Sequence, residues 1–180
     1  MTAISRSNEV AEIDRFLAEQ KTVTDTLPEW KDGENLGRWQ AEWPVLDQDG
    51  IAREGTRLVF SCRKQRTDLV SIRLLLRGQQ IYGIDLVVPE ETKPNPPDAM
   101  RFGLPSRVSG SHFHRWDDNR DYALRVGPGS LPYRRPTPVH LSRLPHALAS
   151  LAQATNLVLT PQQLSFDVPP QGYLLVGGEQ

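Results

Sequence analysis

Two histidines spaced two residues apart give the first chemical signal in this chain. Ser109-Gly110-Ser111-His112-Phe113-His114-Arg115-Trp116 reads as a short strand entered through a glycine, and positions i and i+2 of a strand project from one face. His112 and His114 can therefore act on one ligand, as two metal-binding imidazoles or as an acid and a base at one phosphate. Phe113 then points into the core, and Gly110 lets the backbone approach a ligand closely. A metal would need a third donor. Asp85, Asp117, Asp118 and His140 are candidates, and spacing selects none of them. The sequence therefore assigns no metal and no cofactor. It carries forward a metal-free expectation, with His112 and His114 as the catalytic pair. The arginines that alternate on the flanking strands, Arg57, Arg63, Arg73 and Arg77, would hold the phosphate. Such a set suits RNA, whose 2′-hydroxyl is an internal nucleophile. A solvated polar sheet face bearing two hydrogen-bonded histidines is the non-catalytic alternative.

The charge distribution agrees with an anionic ligand. The net charge is only −1, yet residues 53–77 carry 7 bases against 2 acids, and residues 101–143 carry 8 bases against 3 acids. Residues 1–52 hold 11 acids and 5 bases, which masks the two basic blocks. Of the 21 basic residues 17 are arginine, a ratio that a GC-rich genome also produces, whereas codon bias does not explain the blocks. An arginine fork grips phosphate with two parallel hydrogen bonds.

The elements that must position these residues follow from periodicity. Asn8 to Lys21 reads as a helix, with Asn8 as N-cap and Val10, Ile13, Phe16 and Leu17 as its apolar stripe. Residues 22–36 read as a loop. From Arg38 the period becomes two: Trp39, Ala41, Trp43 and Val45 alternate with polar residues, and Pro44 places this strand at an edge or a strand end. Trp39 and Trp43 are expected to pack rather than to stack on bases. Thr56 to Arg63, Val70 to Arg77 and Ile81 to Val88 continue as a meander with one apolar and one arginine-rich face. A proline-rich loop spans 89–110, and a second hairpin is expected from Ser111–Trp116 and Asp121–Val126 with Asp117-Asp118-Asn119-Arg120 as its turn. After another proline-rich loop at 127–141, residues 142–155 read as a helix capped by Ser142, with Pro145 in its first turn. No role attaches to His146.

The expected fold is one α+β domain over residues 1–180: an antiparallel sheet of five or six strands packed against an N-terminal and a late helix. One cysteine, Cys62, excludes an internal disulfide framework and, with no leader or membrane span in the sequence, places the protein in the cytoplasm with no membrane partner.

From about Leu75 to Ala123 the chain resembles a family of small bacterial and phage-borne proteins of unknown function. The elements that carry the likeness are Gly83-Ile84-Asp85-Leu86, then Asn95-Pro96-Pro97-Asp98, then the His112-Phe113-His114 strand ending at Trp116. Ala99 stands where that pattern has glycine, and Lys93-Pro94 where it has a histidine. The histidine pair beside an arginine-rich meander also looks like TumE- and RelE-type toxins. The resemblance implies a role in mobile-element or phage conflict, as a toxin-like endoribonuclease. The alternative is a binding or inhibitor subunit that docks on a protein or nucleoprotein complex through its acidic N-terminal block. RNA, a nucleoprotein complex or another protein are the partners these readings imply.

Overall fold

The long period-two stretch builds the centre of the molecule. In the computed structural model, which describes residues 3–35, 37–138 and 141–169, β3 (Arg38–Leu46), β4 (Ala52–Arg63), β5 (Arg66–Leu76) and β6 (Gln79–Asp85) form a continuous antiparallel meander. Ala41, Trp43, Leu58, Phe60, Ile72 and Leu74 point to one face and are almost completely buried. At roughly 1.5–3 kcal/mol per fully buried large apolar side chain, this face is the main source of stability.

Shorter strands extend the sheet at both ends. β1 (Thr22–Val23) and β2 (Lys31–Asp32), within the stretch expected to be a loop, pair with the outer edge of β3. On the other side β6 pairs with β9 (His112–His114), and β9 with β10 (Arg135–Pro136), giving eight strands where five or six were expected. Pro44 sits where the β3–β4 register shifts and where β3's outer edge passes between β1 and β2, so its missing N–H disturbs little.

Helices cover the apolar face. α1 (Ala3–Ala18) buries Val10, Ile13 and Phe16, and α3 (Leu144–Ala154) buries Leu144, Ala147, Leu148 and Leu151 in the same core. Both lie within a few residues of their expected bounds. Asn8 falls inside α1, and Arg143 rather than Ser142 occupies the α3 N-cap, with Pro145 in the first turn as expected. A short helix, α4 (Pro161–Leu164), is closed by a capping box between Thr160 and Gln163. It brings Phe166 into contact with Trp30, Trp43 and Phe60. No helix among the described residues is long and apolar enough to cross a membrane.

The expected second hairpin is not formed. Residues Trp116–Val126 make a helix, α2, directly after β9. Trp116, Asn119 and Ala123 are its buried positions, at helical spacing, while Asp117 and Asp118 lie in the first turn, where the helix dipole favours acids. The Asp-Asp-Asn run that resembles a turn is therefore a helix start. The proline-rich stretch 89–110 is also more ordered than a plain loop. β7 (Thr92–Pro94) pairs with β8 (Arg107–Ser109), and one 3-10 turn at Ala99–Phe102 packs with Leu104 and Tyr133 in a second small core.

Lys21, just beyond α1, is buried, and its amine donates to the carbonyls of Phe16 and Glu19 and lies 4.7 Å over the Phe16 ring. Burial pushes its pKa down from 10.5 to about 8, against the opposing pull of Glu19. Between pH 8 and pH 10.5 the unfolded chain therefore holds a proton that the folded chain has released, and Lys21 makes stability rise with pH across that window. Buried Cys62 acts oppositely, because its thiol is pushed up from 9.0 to about 11 and stability falls as the unfolded thiol ionises first. Lys21→Met isolates the lysine contribution. Its stability deficit relative to wild type, measured by urea unfolding, is expected to grow by about 1–3 kcal/mol between pH 7.5 and pH 10. Parallel pH profiles for the two proteins would contradict this.

Candidate active site

Antiparallel pairing assembles the polar face in rows. Ser71 of β5 lies opposite Asp85 of β6, which lies opposite His112 of β9. In the adjacent row Arg73 lies opposite Gly83, and Gly83 opposite His114. Residues paired across a ladder share a face, so Ser71, Arg73, Asp85, His112 and His114 all project away from the helices. Phe113 points the other way, into the core, as the alternation requires.

Both imidazoles are fixed by backbone carbonyls. His112 Nδ1 is 3.0 Å from the Gly110 carbonyl, and His114 Nδ1 is 2.7 Å from the Leu131 carbonyl. A carbonyl only accepts, so Nδ1 carries a proton on both rings. The two Nε2 atoms then converge on one oxygen: Asp85 Oδ2 lies 3.5 Å from His112 Nε2 and 3.2 Å from His114 Nε2. Burial alone would raise the Asp85 pKa. Donation from His112 and His114, in the state in which their Nε2 atoms also carry a proton, and from the Ser71 hydroxyl outweighs it and holds the carboxyl far below the usual carboxylate range. The group is thus an anion at any physiological pH. Among the described residues Asp85, His112 and His114 are the cluster whose donor atoms could hold a metal ion.

These groups form the floor of a cleft of about 480 Å³, with Arg73, Gln80, Lys93 and Arg134 on its walls. Gln80 lies over Gly83, where a Cβ would stand 2.6 Å from the Gln80 amide nitrogen. Gly110 adopts a left-handed φ of 74°, which turns its carbonyl to His112 at a position where a side chain would be strained. The walls are basic and polar, the chemistry that accommodates an anion.

The Leu131 carbonyl is placed by two asparagines. Asn119 of α2 accepts from the Tyr133 N–H and donates to the Tyr133 carbonyl, and Asn95 does the same for Arg134. Each amide acts as a substitute strand partner for one residue of the segment, satisfying buried backbone groups. Asp98 accepts from the Tyr133 hydroxyl at 2.6 Å. The Asn95-Pro96-Pro97-Asp98 element is therefore a clamp on the segment that orients His114.

Of the four expected phosphate-binding arginines, only Arg73 lines this cleft. Arg57 shares the polar face but lies on β4, ion-paired with Glu42 at 3.1 Å, and Arg63 is exposed at the far end of β4, opposite Arg38. Arg77 does not join them. It sits in the β5–β6 turn with a φ of 51° and reaches across to Glu12 of α1, because β5 ends at Leu76 and the alternation stops there. Among the alternative third ligands, Asp118 is ion-paired with Arg135, Asp117 is exposed on α2, and His140 lies outside the described residues. Trp43 is fully buried and Trp39 packs against the core, as expected. His146 is exposed on α3. Sequence reasoning missed Gln80, Lys93 and Arg134. Lys93 and Arg134 sit among prolines, where no periodicity marks a face.

Asn119→Ala is expected to cost about 2–4 kcal/mol in chemical denaturation, because it leaves the buried Tyr133 N–H and carbonyl unpaired. A loss below about 0.5 kcal/mol, the level of an ordinary surface change, would contradict the clamp. No known protein family, curated protein or solved structure matches this chain, so the reading of the site rests on its geometry.

Proposed function

We propose that the protein is an enzyme that cleaves a phosphodiester, with RNA as substrate class, at the cleft floored by Asp85, His112 and His114. The observation that carries this reading is the convergence of two tautomer-fixed imidazoles on one buried carboxylate, inside a cleft whose other polar groups are mainly cationic. A side chain that only stabilises the sheet would not need this arrangement, and perturbed titratable clusters in clefts mark functional sites.

The roles follow from position. Arg73 is exposed and makes no ion pair among the described residues, so its fork is available to a phosphate entering the cleft. Arg134 is steadied by the carbonyls of Pro94 and Pro132, which fixes a second cation on the opposite wall. Lys93 shares its charge with Glu91 at 2.8 Å and contributes less. The cleft opens on the sheet face opposite the one that α1 and α3 pack against, and that face carries Arg57 and Arg63. A ligand with several phosphates in a chain suits this surface better than a single small anion does.

The binding-subunit alternative draws less support. Its acidic N-terminal block is largely committed within the fold: Asp14 binds Arg120 and the Trp116 indole, Glu12 binds Arg77, and Asp47 binds Arg53.

The test is cleavage of a fluorophore–quencher single-stranded RNA. Wild type is expected to cleave it, Arg73→Gln to lose about 100-fold in kcat/KM as one charge-stabilising donor is removed, and Arg77→Gln to stay within about twofold of wild type. No cleavage, or equal losses in the two variants, would contradict the assignment.

A further inference from the structure

We infer that Asp85, His112 and His114 bind one divalent first-row transition-metal ion, zinc foremost, through Asp85 Oδ2 and the two Nε2 atoms. The inference deepens the phosphodiester reading by naming the cofactor of the same cleft, although the metal geometry stands without it.

Hydrogen bonding alone does not account for the cluster. With Nδ1 protonated by the geometry of the Gly110 and Leu131 carbonyls, each neutral ring turns a bare Nε2 lone pair toward a carboxylate oxygen. Three lone pairs then face one another in a site where His112 is 1% exposed. Protonating both Nε2 atoms would remove the clash but would place two imidazolium ions against one carboxylate beside Arg73 and Arg134, with one of them fully desolvated. Charge-assisted hydrogen bonds of that kind are also shorter, about 2.7–2.9 Å, than the 3.2 and 3.5 Å found here.

A cation at the meeting point resolves both difficulties. With ligand bonds of 2.0–2.2 Å, the edge of a tetrahedral zinc site is about 3.3–3.6 Å. The two Nε2–Oδ2 separations, 3.5 and 3.2 Å, lie in or just below that range, and all donor atoms lie within 4.8 Å of one another. The outer contacts also suit a metal site. Each ligating imidazole donates its other N–H to a carbonyl, and the Ser71 hydroxyl binds the ligating carboxyl. Two imidazoles with one carboxylate is a donor set for zinc or ferrous iron, and three protein ligands leave a coordination position facing the cleft for water.

A metal so held would lower the pKa of a water bound to it; with that water's proton released to solvent, its oxygen would form the new bond to phosphorus as the P–O bond to the leaving ribose oxygen breaks. The leaving alkoxide takes up a proton from solvent, so one water is consumed overall.

Zinc titration of chelator-stripped protein, followed by calorimetry, tests the inference, with circular dichroism confirming the fold of each sample. Wild type is expected to bind one equivalent. Asp85→Asn and His114→Ala should each bind at least 100-fold more weakly, and Ser71→Ala, which alters only an outer contact, about 10-fold more weakly. Should the ligand variants misfold, cobalt(II) added to wild type gives a second readout, with visible absorption intensities of a four- or five-coordinate site expected. A folded wild type that binds no zinc, or zinc binding unchanged in a folded His112→Ala/His114→Ala protein, would overturn the metal centre. RNA cleavage assayed on the same samples separates the two readings. Zinc bound without cleavage removes the phosphodiester assignment and keeps the metal. Cleavage by zinc-free protein in chelator overturns the metal and keeps the assignment.

Discussion

The sharing of the Asp85 carboxylate between His112 and His114 is the constraint to which the surrounding structure answers. Both rings must present Nε2 to the same oxygen, which requires each Nδ1 to be held from behind by an acceptor that cannot donate. The chain supplies one such acceptor before the strand, at Gly110, and one beyond α2, at Leu131. Gly110 needs its left-handed conformation for this, and Leu131 needs the residues just after it, Tyr133 and Arg134, fastened by Asn119 and Asn95. Features that look unrelated along the chain thus serve one geometric condition.

The architecture separates stability from chemistry. The apolar face of the meander, with α1, α3 and the Phe166 contacts, supplies the burial that holds the domain together. The opposite face carries the rows Ser71–Asp85–His112 and Arg73–Gly83–His114. A rigid central sheet suits such a site because ladder hydrogen bonds fix the backbone beneath each functional side chain. Left-handed backbone serves the site at Gly110, whose carbonyl meets His112, and elsewhere it serves turns such as that of Arg77.

Much of the fold was legible in the sequence because period-two alternation over residues 38–85 is long and has one interpretation. α2 was not, since its first turn, Asp117-Asp118-Asn119, has the composition of a hairpin turn, and only its tertiary partners Tyr133 and Asp14 show which conformation prevails. At the site, His112 and His114 were legible because their spacing is local. Asp85 was one of four candidates, and its selection depends on β6–β9 pairing across an excursion whose length and prolines conceal the register. Arg77 illustrates the converse. Strand parity assigned it to the polar face, but the strand ends one residue earlier, and the turn sends it to Glu12. Arg134 gave no signal, because its position is set by an asparagine amide rather than by a ladder.

The most direct measurement of the central claim is nitrogen-15 NMR of the histidine side chains, recorded with one equivalent of zinc at neutral pH. Protonated Nδ1 on both His112 and His114, with both Nε2 resonances moved by the metal, is the result this account predicts. An Nε2–H on either ring, donating to Asp85 and unmoved by zinc, would contradict it and leave the cluster as a hydrogen-bonded feature of the sheet.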